Sequence, residues 1–191
     1  MKKLIALFAL ASAALSASAA GLVGDPLTPG QLVTLRAGVC ADNTARPLMQ
    51  AGNVPGLLSW LNTGTATKGW ITAVTAQASD EAPNYTTYDS LTQGKRDSWA
   101  RFLAVESRNF AKNKVRNWVV DVWGNATASS NAEAVLLAGT EAATNAQLVL
   151  GGTVKTTGTV TATDRTYDGV VTTNETARLI FQDNGQIYTC P

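Results

Sequence analysis

The stretch SNAEAVLLAGTEAATNAQLVLGGTVKTTGTVTATDRTYDGVVTT, residues 130–173, decides the fold class because its pattern changes midway. Ser130 and Glu133 stand at capping-box spacing, and the alanine-rich run after them predicts a helix reaching Leu150. Gly151 and Gly152 interrupt it. From Thr153 to Thr173 there are nine threonines, set among Val154, Val160, Val170 and Val171, and β-branched residues in such density favour extended strands. Further on, residues 178–182 and 186–190 flank Asp183-Asn184-Gly185, a hairpin signal because Asn-Gly tolerates positive φ.

Upstream of this stretch the periodicity is helical. Thr28 is an N-cap with Pro29 at the first helical position and Gln31 three residues on, opening a helix over 27–40. Short helices are expected over 44–51 and 54–61, the second burying Leu57, Leu58 and Leu61. Residues 63–87 hold few apolar anchors (Trp70, Ile71, Val74) and read as a long loop, a feature that often serves contacts. Helices return over 89–104 and over 111–123, where Val115, Trp118, Val119 and Val122 fall on one face before Gly124. The expected architecture is α+β: a mainly α body of five to six helices, then a β-rich tail with a terminal hairpin. The units are a leader (1–19), a helical domain (20–152) and a threonine-rich β tail (153–191).

The leader has Lys2 and Lys3 before an apolar run from Leu4 to Leu15, and Ala17-Ser18-Ala19 matches a cleavage pattern. This reads as a secretory signal peptide, too short for a stable membrane span of about 20 residues. An apolar helix retained against a neighbour is the alternative. If the chain is exported, Cys40 and Cys190 are a candidate disulfide closing a loop of about 150 residues. Otherwise Cys40 is a small buried apolar residue and Cys190 sits at a chain end.

Among 191 residues there is no histidine. That removes the usual general base, the Ser-His and Cys-His nucleophilic pairs and the commonest metal ligand. Gly94-Lys95 resembles the end of a phosphate-binding loop, but Asp89 and Arg96 occupy positions that need Gly and Ser or Thr. Lys95 and Ser98 lie one helical turn apart without visible activation. No enzyme, cofactor or metal is expected.

The near-neutral charge conceals a separation. Residues 95–116 carry seven cations against two anions, whereas residues 121–191 carry three cations against seven anions. Arg101, Arg108, Lys112, Lys114 and Arg116 are therefore the candidate contact residues. In a ring, the basic segment of one copy would meet the acidic tail of the next. DNA contact is the second option, and a solvated helix face is the ordinary one. The five tryptophans read mostly as core, with Trp123 beside Gly124 the likeliest to be partly exposed.

The run YDSLTQGKRDSW (88–99), with RNWVVDVWG (116–124) and LTPGQLVTLR (27–36), resembles a family of small, mostly uncharacterised proteins encoded by tailed bacteriophages. Residues 131–169 also fit. The resemblance implies a virion structural protein, an oligomeric component of the head–tail connection or tail that contacts neighbouring virion proteins, and it carries no catalytic residues. The leader and residues 178–191 stand outside it. The alternative is an exported periplasmic or surface helical binding protein with its leader removed and Cys40 bridged to Cys190.

Overall fold

Thr28 caps the first helix as its spacing to Gln31 predicts. Its hydroxyl accepts from the Gln31 amide at 3.3 Å, and the Gln31 side chain accepts from the Thr28 amide at 2.9 Å. The computed structural model in which this is seen describes residues 27–124, 128–165, 167 and 169–191; the leader expected over 1–19 lies outside the described residues. From the cap, α1 (Pro29–Ala41) buries Leu32, Leu35, Val39 and Cys40, with Leu27 stapled beside them. The next two helices follow the expected course as α2 (Ala45–Gln50) and α3 (Val54–Asn62), separated by Gly52 at φ +66°.

The expected loop over 63–87 is a correction. It holds β1 (Gly64–Trp70), β2 (Val74–Thr75), α4 (Ala76–Glu81) and the start of a 3-10 turn (Tyr85–Ser90). Most of β1 is exposed, so threonine rather than apolar alternation marks it, and the period-two signal is faint. Next come α5 (Gln93–Leu103), β3 (Ser107–Arg108) and α6 (Asn113–Trp123).

The single helix expected from Ser130 to Leu150 is also corrected. It is divided into α7 (Ser129–Ala138), β4 (Thr140–Thr144) and α8 (Asn145–Val149). Gly139 ends α7, and a Cβ there would come within 2.1 Å of the Phe110 ring, so packing and helix ending coincide at one glycine. No side chain caps α7; the capping box belongs to Thr144 and Gln147 at the start of α8.

The threonine-rich strands appear as β5 (Val154–Thr157) and β6 (Val160–Thr163), turned by Gly158 at φ +57°. The terminal hairpin is largely overturned. Residues 178–180 belong to α9 (Thr173–Ile180), and only Phe181 bridges Ile187 around the Gly185 turn, φ +76°.

The fold is α+β, with nine α-helices and the 3-10 turn among the described residues rather than five to six helices. A four-stranded sheet runs β4-β1-β6-β5. Within it β1 is antiparallel to β4 and parallel to β6, and β5 is antiparallel to β6. Strands from both sides of the expected boundary at residue 152 therefore share one sheet, and α9 packs on α1 and α3, so a separate β tail is not what forms. One core cluster takes the middle of the chain, with Trp70, Trp99, Phe102, Phe110, Trp123, Leu136 and Val160. The other joins the two ends, Leu35, Val39, Met49, Leu57 and Leu61 meeting Val171, Leu179 and Ile180. No helix among the described residues is long and apolar enough to cross a membrane.

Candidate functional site

The five basic residues singled out by charge divide into two groups. Arg116, on α6, is 1% exposed. Its Nε donates to Thr157 Oγ1 at 3.0 Å, and one terminal nitrogen donates to the carbonyls of Phe110 and Ala111 at 2.6 and 2.8 Å. The same nitrogen meets Asp164 Oδ1 at 3.1 Å, and the guanidinium lies 4.6 Å from the centre of the Trp70 ring. A guanidinium can enter a core only when its donors are matched in this way. Arg116 is thus an internal strut joining α6 to β5, the 110–111 turn and the segment after β6. It is corrected as a surface contact.

Arg108 is half-buried and turned inward. It donates to the carbonyls of Phe102 (2.9 Å) and Arg101 (2.8 Å), which lie at the end of α5. A cation there complements the negative end of the helix dipole. Its guanidinium also lies over the rings of Phe102 and Trp118, at 5.1 and 4.9 Å. Arg101, Lys112 and Lys114 remain exposed. Arg101 occupies the last turn of α5, while Lys112 and Lys114 stand at the start of α6. Arg108 fixes the chain between them, so these three cations project from an anchored junction.

The acidic partner segment is also partly consumed within the chain. Asp164 pairs with Arg116, Glu141 meets Arg165 at 2.5 Å, and Glu175 accepts from the Leu27 amide at 2.8 Å while closing the box on Thr172. Asp121, Glu133 and Asp183 remain exposed. The charge separation is real along the sequence, but its deepest pair, Arg116–Asp164, is closed within one chain.

The aromatic residues beside this junction are structural. Trp123 is fully buried, which corrects its expected exposure, and packs edge-on against Trp99 with centroids 5.4 Å apart. Trp99 Nε1 donates to the Tyr85 hydroxyl at 2.9 Å, and Tyr85 in turn donates to the Asp80 carboxylate. Burial first, then that hydrogen bond, pushes Tyr85 up to about 12. Ser98 Oγ accepts from Trp118 Nε1 at 2.7 Å, so the hydroxyl next to Lys95 serves packing.

Among the described residues no group of three or more Cys, Asp or Glu side chains could hold a metal ion. Cys40 and Cys190 form a disulfide with Cα atoms 5.3 Å apart, linking α1 to the chain's end. Sequence reasoning missed the roles of Thr157 and Asp164, which lie 41 and 48 positions from the arginine they satisfy. A buried arginine requires acceptors, but no spacing rule locates them. No protein family, curated protein or solved structure matches the chain.

Proposed function

We propose that this chain is a non-enzymatic structural module of a tailed-bacteriophage particle, an oligomeric component of the head–tail connection or the tail. The observation that carries the reading is the anchored junction of α5 and α6. Arg101, Lys112 and Lys114 face solvent there, while Arg108 and Arg116 hold the backbone that presents them. Three exposed cations on this bonded backbone favour a neighbour bearing exposed carboxylates, such as Asp121, Glu133 and Asp183 of an adjacent copy. DNA phosphates are the secondary partner. The reading takes up the resemblance expected for residues 27–169, and the disulfide suits a virion surface, one of the settings in which such bonds persist.

Peptide mass spectrometry of gradient-purified particles tests this reading. Recovery of the chain at stoichiometric abundance, relative to the other particle proteins, is the expected result. Its absence from particles, together with a strictly monomeric state in low salt, would sink the reading.

A second reading has its own observation in the disulfide, which equally suits an exported periplasmic or surface helical binding protein whose leader-like residues 1–19 are removed. Amino-terminal mass spectrometry separates the two. A terminus at Ala20 or Gly21 favours export, and an intact Met1 or a terminus near Leu27 favours the particle.

A further inference from the structure

Residues 182–191 follow α9 as a strap laid over the core formed by the two ends of the chain. Of these residues only Tyr188 and Cys190 are half-buried, and the rest are exposed. Its bonds at Gly185, Gln182 and Gln186 are mostly internal: Gly185 N donates to Gln182 O, Gln182 N to Gln186 O, and Gln186 N to the Asn184 side chain. Ties to the body other than the disulfide are few. Tyr188 N donates to Ile180 O at 2.7 Å, Ile187 bridges Phe181, Arg36 lies 4.9 Å from the Tyr188 ring centre, and Arg46 reaches Pro191 O at 3.3 Å. An exposed decapeptide with so little burial keeps its chain entropy in check poorly without a covalent tie.

The helix before the strap is held differently. Leu179 and Ile180 are fully buried, and Arg36 donates to the carbonyls of Leu179 (3.0 Å) and Arg178 (2.6 Å). Glu175 is bonded to Leu27 N at the other end of α9. None of these bonds needs the disulfide. Beneath the bridge, both sulfurs lie 3.8 Å from Met49 Sδ, on a buried apolar floor of Cys40 and Met49.

We propose that Cys40–Cys190 is a redox latch: reduction frees residues 182–191 and uncovers the Met49 floor while the helical body stays folded. A thiolate of an external dithiol attacks Cys190 Sγ, the more exposed sulfur, and expels Cys40 as a thiolate that takes up a proton. The second thiol of the reductant then displaces Cys190 and closes the reductant's own disulfide. Two electrons and two protons pass to the protein. In a reducing cytoplasm the strap is open, and in an oxidising medium it is latched. The inference does not depend on the proposed function.

Hydrogen exchange read by mass spectrometry on the full chain tests it, using oxidised protein, protein reduced with dithiothreitol and Cys190→Ser. Alkylation counts the free thiols in each sample. In both open forms the Tyr188 amide, bonded to Ile180 O in the latched form, is expected to gain at least about tenfold in exchange rate, while α1, α2 and α9 stay protected. Strap protection equal to that of the oxidised protein would overturn the latch. So would loss of protection in α1, α2 and α9 together with the strap, or two free thiols in the air-oxidised chain.

Discussion

Replacing Arg116 by alanine would remove a guanidinium that serves two carbonyls, a hydroxyl and a carboxylate from one buried position. The carbonyls would be left without that donor inside the core, and Asp164, whose side chain is 27% exposed, would recover only part of its hydration. The expected cost is about 3 kcal/mol or more in urea unfolding, with Arg116→Lys failing to restore the planar set of donors. Lys112→Ala, at an exposed position two residues from Lys114, should change stability by less than about 0.5 kcal/mol. Equal effects at the two positions would contradict the assignment of Arg116 as a strut. Two phenols give a pH signature. Burial raises Tyr85 and Tyr167 from 10.0 to about 12, assisted by Asp80 in the first case and by the charge of Glu175 in the second. Both are therefore neutral in the fold when the unfolded chain would already ionise. Their contribution is full below pH 10, the unfolded value, and is lost as pH climbs through about 12. Tyrosinate absorbance should show a late component that Tyr85→Phe and Tyr167→Phe each diminish; its absence in the parent protein would refute the environments described.

At the scale of elements, helices with strong local signals were legible and strands with weak ones were not. Thr28 and Gln31 marked α1 because a capping box is written in four consecutive residues. The same code stands at Thr144/Gln147 and Thr172/Glu175, where it opens α8 and α9. There the alanine-rich run and the Asn-Gly turn mask it, and the turn does form, although the residues before it are helical. For β1 the missing information was tertiary. Its hydrogen bonds go to residues 140–144 and 163, and most of its side chains face solvent, so neither propensity nor alternation announces it. Two substitutions test these local accounts. Glu175→Ala removes the acceptor for both the Thr172 and Leu27 amides and should cost about 1–3 kcal/mol, read by thermal unfolding. Gly139→Ala places a methyl against the Phe110 ring and should cost about 1–3 kcal/mol, although alanine is the better helix former. A stabilised Gly139→Ala would show that the ring gives way freely.

For the whole molecule, charge along the chain identified the basic junction but not the depth of its members. Two of the five candidate cations are turned inward because aromatic rings and backbone carbonyls, at the end of α5 for Arg108 and in the 110–111 turn for Arg116, surround them, and those neighbours come together only in the fold. The sequence left two readings of Cys40 and Cys190 open, the disulfide conditional on export, and the structure joins them at the shared core of the two ends. It closes a loop spanning 150 residues of sequence separation, for which chain entropy predicts a loss of about 5 kcal/mol on reduction, less any freedom the strap regains. Exposed Arg101, Lys112 and Lys114 then bear the whole of the assembly claim. Sedimentation velocity of the oxidised chain at low and high salt, beside a variant with all three changed to Glu, tests that claim most directly. The account predicts a discrete oligomer at low salt that dissociates as salt rises and is absent in the variant. A monomer under every condition, or an oligomer indifferent to salt and to the triple substitution, would contradict it.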